Sequence, residues 1–262
     1  GEGDSWEEGW FDYFWRPKGV TPEQGRELNA AVLLIAGAGV NDRTMWNGAR
    51  KRIPVYVSNY GEADIESGAL SWQLLENGRR VSGGEASGIT APLGEVSRIA
   101  EIEVEAPSGD SARQLELVIT LRSGQATHVN RWSLWSFPRD GLLQDAGIPV
   151  TARVKWEGLR RLYPFIQNGR PDRKGLLITS VLDNKAARFL HSGGRVWLLA
   201  DRAQFGRAGD AAFFPASGGA LGTLVRDHPA LAGFPHQGFC DLQFYNLLEG
   251  AWNFPLDNWP RE

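Results

Sequence analysis

The stretch Arg113–Gly124, RQLELVITLRSG, shows the clearest strand pattern in the first half of this chain. Every second position in its centre holds a large aliphatic residue: Leu115, Leu117, Ile119 and Leu121. Successive side chains of a β-strand point to opposite faces, so this spacing predicts a strand with one buried face. The preceding stretch 97–107, SRIAEIEVEAP, alternates in the same way and places its glutamates on the solvated face.

Seven segments of this kind lie between residues 30 and 139, each bounded by turn residues. Two of them flank Asn77-Gly78, the dipeptide most typical of a two-residue hairpin. Short alternating strands without a helical period predict a β-sandwich of immunoglobulin-like type over 30–139. Because the chain has a single cysteine, the disulfide of antibody domains is missing and the prediction concerns sandwich architecture alone.

Residues 140–262 follow a different rhythm of strand, helix and strand. The segment 150–156 predicts a short strand, 174–182 and 195–201 predict buried strands, and the segments 157–166 and 184–194 between them predict helices. This order is typical of a parallel sheet with crossover helices. No strong strand follows residue 201, so we expect a small and truncated α/β domain.

Residues 1–29 form a third part, in which six aromatic residues crowd between Trp6 and Trp15. Thr21 predicts a helix N-cap, Pro22 the first helical position and Gln24 the closing residue of a capping box. A segment this short has no hydrophobic core of its own in which to bury six aromatic rings. We therefore expect the end of a larger unit, or a strap across a neighbouring domain.

Charge and composition exclude several function classes. The net charge of −3 argues against nucleic acid or an anionic membrane as the main partner, and no apolar run is long enough to cross a bilayer. The N-terminus is acidic, unlike a signal peptide. Eleven tryptophans favour a large core or sugar-binding platforms. The candidate carbohydrate contacts are Trp10, Trp15, Trp132 and Trp135.

The carboxyl ends of parallel strands are where ligands bind in α/β sheets, which makes Ser180, Asp183 and Asp201 a candidate ligand site. No nucleophile on a tight turn stands there, so triad chemistry is disfavoured. The side chains of His228, His236 and Cys240 are of types that bind zinc, but their spacing matches no zinc motif. A structural loop is the favoured interpretation, with a ligand site or a metal site as alternatives. We expect no catalytic residue, metal or cofactor in this chain.

Five segments in this order resemble the C-terminal half of large bacterial proteins of glycoside hydrolase family 2, the β-galactosidase-like kind. They are FDYFWRPKGVTPEQGRELNAAVLL (11–34), VYVSNYGEADIESGALSWQLLENGRRVSGG (55–84), WSLWSFP (132–138), GRVWLLAD (194–201) and HPALAGFPHQGFCDLQFYNLLEG (228–250). The resemblance implies an immunoglobulin-like domain followed by a flavodoxin-like domain, similar to class I glutamine amidotransferases without their cysteine.

The same resemblance implies that a catalytic (β/α)8 barrel precedes this region and carries both catalytic glutamates, so the chain is expected to be a fragment. The chain is expected to be a non-catalytic accessory region. Its expected partner is the barrel, which it braces, and it is expected to contact polysaccharide. An independent carbohydrate-binding module and a small-molecule-sensing α/β domain are the alternatives. The parent enzyme is expected in the periplasm or outside the cell.

Overall fold

The computed structural model describes residues 21–139, 145, 147–154, 157–199, 225, 227–238 and 240–248. The chain forms two compact units. The first comprises residues 1–39, 48–108 and 114–134, and the second comprises 40–47, 109–113 and 135–262. The division into 1–29, 30–139 and 140–262 expected from the sequence stays a prediction.

Helix α1 (Pro22–Leu28) begins as its capping motif predicts. The Thr21 hydroxyl accepts a hydrogen bond from the Gln24 backbone N–H, and the Gln24 side chain accepts one from the Thr21 N–H. These reciprocal bonds satisfy two donors that the start of a helix otherwise leaves unpaired. The predicted capping box is therefore confirmed.

Eight strands form two sheets in the first part of the chain. They are β1 (Val32–Ala36), β2 (Thr44–Trp46), β3 (Arg50–Asn59), β4 (Ile65–Glu76), β5 (Arg79–Ala91), β6 (Glu95–Glu105), β7 (Arg113–Ser123) and β8 (Ala126–Phe137). One antiparallel sheet has the order β1-β3-β6, and the other has the order β2-β8-β7-β4-β5. The sequence predicted seven strands; β2, which pairs in parallel with β8, is the addition.

The alternation that predicted these strands matches their burial. The four aliphatic side chains of β7 are 0–1% exposed: Leu115, Leu117, Ile119 and Leu121. Strand β3 of the other sheet buries Ile53, Val55 and Val57 in the same alternating way. The predicted hairpin is also confirmed, because Asn77 and Gly78 have φ values of 49° and 76°, as a type I′ turn requires.

Side-chain hydrogen bonds join the two sheets. The buried Asn130 of β8 accepts a bond from the Leu34 N–H of β1 at 3.1 Å. The Trp72 indole N–H of β4 donates to the Glu103 carbonyl oxygen of β6 at 3.1 Å. The first part of the chain is therefore a β-rich fold with two sheets, consistent with the predicted sandwich, while its immunoglobulin-like type stays a prediction.

The second unit, here the α/β unit, contains a parallel sheet with the order β9-β10-β11, and the first unit is the β-rich unit. Its elements are β9 (Val150–Arg153), α2 (Glu157–Leu162), β10 (Leu176–Thr179), α3 (Asn184–His191) and β11 (Arg195–Leu198). The rhythm of strand, helix and strand is as predicted. The structure describes three short strands here, so the flavodoxin-like assignment is not confirmed by it.

The described residues of 227–248 form short turns. Two 3₁₀ turns, Pro229–Leu231 and Leu242–Phe244, precede the one-turn helix α4 (Tyr245–Leu248). Gln243 and Phe244 are the buried residues of the second of these turns. Among the described residues, no helix is both long and apolar enough to cross a membrane.

Candidate functional site

The carboxyl edge of the parallel sheet carries the polar residues that the sequence singled out. Arg153 ends β9, Thr179 ends β10, and the two are paired in the sheet register. Ser180 and Asp183 follow β10 directly and lie at this edge, as the strand-end prediction requires. Asp201, the third predicted residue, lies outside the described part of the chain.

Asp183 has two structural roles at this edge. Its carboxylate caps α3 by accepting hydrogen bonds from the Lys185 and Ala186 N–H groups at 3.1 and 2.8 Å. It also accepts two bonds from the Arg153 guanidinium, at 2.6 and 3.4 Å. The Arg153 side chain and the capping N–H groups lower the pKa of Asp183 to about 2. Both sets of donors favour the ionised form, so Asp183 stays a carboxylate at neutral pH.

The hydroxyl of Thr179 is also used locally. It donates to the Val181 carbonyl oxygen at 2.9 Å and accepts from the Val181 N–H at 3.2 Å. This arrangement turns the chain out of β10 and leaves Ser180 half-buried beside it. The groups at the end of β10 therefore stabilise the loop and the start of α3, rather than forming a nucleophile with a base.

A cavity of about 1,020 Å³ lies beside α3, within the second unit. Leu177 of β10 lines it, whereas the next residue, Ile178, packs in the core cluster with Leu159 of α2. Since neighbouring residues of a strand point to opposite faces, the cavity is on the face of the sheet turned away from α2. The connection 169–173 and α3 provide its other walls.

Positive charge dominates this cavity. Five of its ten described lining residues are cationic: Arg153, Arg170, Arg173, Lys185 and Arg188. The nearest acidic neighbour in sequence, Asp172, accepts a hydrogen bond from the Lys174 N–H at 2.8 Å within its own turn. The chain as a whole is negative, so this is a local concentration of positive charge. Guanidinium and ammonium groups in a concave site are suited to binding anions.

Cys240 and His236 of the 228–250 stretch lie in packed, turn-rich surroundings. Cys240 is buried, and burial raises the pKa of its thiol. His236 accepts a hydrogen bond on Nδ1 from the Gly238 N–H, which closes a turn. No group of three His, Cys, Asp or Glu side chains suited to a metal ion occurs among the described residues.

Aromatic packing explains this stretch better. The Phe234 ring stacks on Phe137 with centroids 5.3 Å apart and contacts Phe244 at 4.8 Å. Gln243 donates to the Pro235 carbonyl oxygen at 2.9 Å. These contacts favour the structural-loop interpretation of the sequence over a ligand or metal site.

The predicted carbohydrate-contact tryptophans have different surroundings. Trp135 is 1% exposed and belongs to the core, so it cannot present a ring to a sugar without local unfolding. Trp132 is half-buried on the same strand, three residues away. Trp10 and Trp15 lie outside the described residues. The four rings therefore remain a prediction, with Trp135 as the member that burial argues against.

Sequence reasoning missed the cations of the cavity. Arg170 and Arg173 lie in the connection before β10, in the segment NGRPDRKG (168–175), which is rich in turn residues and basic residues. Lys185 and Arg188 lie one turn apart on α3. The basic composition of these two segments was the available signal, but their convergence with Arg153 depends on how the chain crosses over between strands.

Two families match separate segments of the chain, and both carry descriptions without a function. Residues 50–138 match a domain of unknown function, DUF8488, and residues 177–262 match another, DUF8487. No curated protein matches the chain. The first match spans strands β3 to β8, and the second begins within β10.

Solved structures similar to this chain cover parts of it. A β-glucuronidase from Parabacteroides merdae is 16% identical over 40% of this chain and 13% of its own length, with a TM-score of 0.27. The CARDB domain of the PF1109 protein from Pyrococcus furiosus, in complex with di-metal ions, is 11% identical over 41% of this chain and 91% of its own, with a TM-score of 0.27. A superoxide reductase from Ignicoccus hospitalis is 10% identical over 39% of this chain and 78% of its own, with a TM-score of 0.25.

Proposed function

We propose that this chain is a non-catalytic accessory region of a glycan-degrading protein and that its α/β unit binds a ligand. The basic cavity beside α3 is the observation that carries the proposal. It is concave, and its volume of about 1,020 Å³ lies at the upper end of the usual range for ligand pockets. Its walls combine cations and apolar side chains, which bind and orient ligands.

The polar groups at the sheet edge support binding rather than bond cleavage. Asp183 is engaged by Arg153 and by the start of α3, so it has a strongly lowered pKa and is a poor general acid or base near neutral pH. Cys240 is buried with a raised pKa, the opposite of an activated thiolate. These environments fit the expected flavodoxin-like domain that resembles amidotransferases without their nucleophile.

The sequence resemblance supplies the wider context of the proposal. According to this resemblance, the parent protein carries a catalytic barrel of glycoside hydrolase family 2 before this region. The proposed partner of this chain is that barrel. The β-rich unit braces the barrel, and the α/β unit holds a substrate chain or a soluble regulator. Polysaccharide is the proposed partner of the accessory region as a whole.

Turnover assays test the non-catalytic part of this proposal. The purified chain is incubated with aryl β-glycosides and, separately, with glutamine, and product is followed over hours. We expect no release above a buffer control. Release that persists through purification and is lost in Cys240→Ala or Asp183→Asn would overturn the proposal and assign chemistry to the residue substituted.

A further inference from the structure

We infer that the ligand of the basic cavity is an acidic oligosaccharide, one whose sugars carry carboxylate groups. This inference rests on the proposed ligand-binding function and adds the chemical class of the ligand. It depends on three features of the cavity: unpaired positive charge, guanidinium groups held in place, and an apolar wall within the same space.

The first feature is the excess of cations over carboxylates. Of the five cationic side chains in the cavity, Arg153 is paired with Asp183. In the described part of the chain, the other four have no carboxylate within ion-pair distance: Arg170, Arg173, Lys185 and Arg188. Like charges held close together repel, and an anion that enters the cavity relieves this repulsion. A neutral ligand does not relieve this repulsion between the cations.

The second feature is that several guanidinium groups are anchored before any ligand arrives. Arg173 donates from Nε to the Ser192 carbonyl oxygen at 3.3 Å, and Arg188 donates from Nε to the Asn184 carbonyl oxygen at 3.0 Å. Each bond uses one of the five N–H donors of a guanidinium group and leaves the terminal amino groups for a ligand. Because fewer rotamers are lost on binding, such anchored groups bind a carboxylate at lower entropic cost.

The third feature is the apolar part of the wall, to which the half-buried Phe189 and Pro171 contribute. The Phe189 ring packs against Gly194, where an added Cβ would lie 2.5 Å from ring atoms. An apolar surface beside cations suits a pyranose ring, which has C–H groups on its faces and a carboxylate at its edge. Inorganic phosphate would use the cations but none of the apolar wall, so the cavity favours a carboxylated sugar over a bare anion.

Isothermal titration calorimetry on the full chain tests the ligand class with three probes. Trigalacturonate carries carboxylates, cellotriose is a neutral trisaccharide, and inorganic phosphate is an anion without a sugar. We expect trigalacturonate to bind, and to bind several-fold more weakly when NaCl rises from about 50 to about 200 mM, because salt screens exposed charges. Cellotriose and phosphate are expected to bind at least tenfold more weakly than trigalacturonate.

Two single variants locate the binding. Arg170→Gln and Lys185→Gln each remove one exposed, unpaired charge, and each is expected to weaken trigalacturonate binding by about two- to fivefold. Arg122→Gln makes the same charge change at an exposed position of β7 in the other unit and should leave trigalacturonate binding unchanged. Hydrogen exchange of α3 checks that the cavity variants remain folded, which is expected since both side chains are exposed.

The possible failures are distinguishable. Equal binding of cellotriose and trigalacturonate, or equal weakening in all three variants, overturns the inferred ligand class and leaves a ligand-binding region. Phosphate binding as tight as trigalacturonate binding also overturns it, because the sugar then contributes nothing. Cleavage of glycosides by the chain contradicts the proposed function itself.

Discussion

Substitution of Asp183 separates two contributions to the stability of α3, the helix cap and the ion pair. Asp183→Ala removes the acceptor for the Lys185 and Ala186 N–H groups and also the partner of Arg153. Asp183→Asn keeps an oxygen that can cap the helix but removes the charge. The two variants therefore share the loss of the ion pair and differ in the loss of the cap.

The structure sets the size of each effect. Loss of a helix N-cap costs about 1 kcal/mol. An unscreened pKa shift from 3.8 to about 2 corresponds to about 2.5 kcal/mol, but the Asp183 side chain is 36% exposed and solvent screening reduces the ion pair to about 0.5–1 kcal/mol. We therefore expect Asp183→Ala to destabilise α3 by about 1.5–2 kcal/mol and Asp183→Asn by about 0.5–1 kcal/mol.

Hydrogen exchange of the α3 amides measures these differences where they arise, which one melting temperature cannot do for a chain with two units. The expected acceleration is about 10- to 30-fold for Asp183→Ala and about two- to fivefold for Asp183→Asn. Asp172→Asn changes a carboxylate in the same unit that only closes its own turn, and it serves as the control. Equal acceleration in both Asp183 variants, or none, would refute the division into cap and ion pair.

The pH dependence of the same helix follows from the lowered pKa. The unfolded chain binds a proton on Asp183 near pH 3.8, whereas the folded chain does so near pH 2. The carboxylate therefore contributes its full stabilisation above about pH 5, and this contribution is lost as the pH falls from 3.8 towards 2. Asp183→Asn should abolish this part of the pH dependence of α3 exchange.

Three further outcomes test other parts of the structure. Leu117→Ala, at a fully buried position of β7, should destabilise the β-rich unit by about 2–5 kcal/mol in urea unfolding. Glu116→Ala, at an exposed position of the same strand, is the control. A loss under about 1 kcal/mol for Leu117→Ala, similar to that of the control, would contradict the assigned core. Gly84→Ala places a Cβ against the Trp72 ring, closer than van der Waals contact allows; it should cost about 1–3 kcal/mol and shift tryptophan fluorescence. An unchanged spectrum and stability would contradict that packing. Cys240 should react with maleimide far more slowly in the native chain than in urea, and an equal rate would show that the thiol is neither buried nor shifted to a raised pKa.

Local patterns of sequence predict the strands because burial follows alternation residue by residue. Leu115 and Leu117 are buried because alternate side chains of a strand share one face, and the same alternation is what predicted their burial. The capping box at Thr21 and the turn at Asn77 depend on interactions within a few residues. Strand β2 escaped prediction because three residues are too few to show a period.

The cavity depends on contacts that no local pattern contains. Arg153 and Asp183 meet because β9 and β10 are neighbours in a parallel sheet, although 30 residues separate them in sequence. Arg170 and Lys185 converge for the same reason. The sequence did place Asp183 at the carboxyl edge of the sheet, because that position depends on topology alone, while its part in a ligand site stays a prediction. It could not show that Arg153 already neutralises this carboxylate and leaves the neighbouring cations unpaired.

The most direct test of ligand binding in the α/β unit is a map of NMR chemical-shift changes in the full chain as trigalacturonate is added. The account predicts that the changes centre on Arg153, Arg170, Lys185 and Arg188 and saturate together with one dissociation constant. Saturating changes confined to the β-rich unit, or no change at millimolar trigalacturonate, would contradict it.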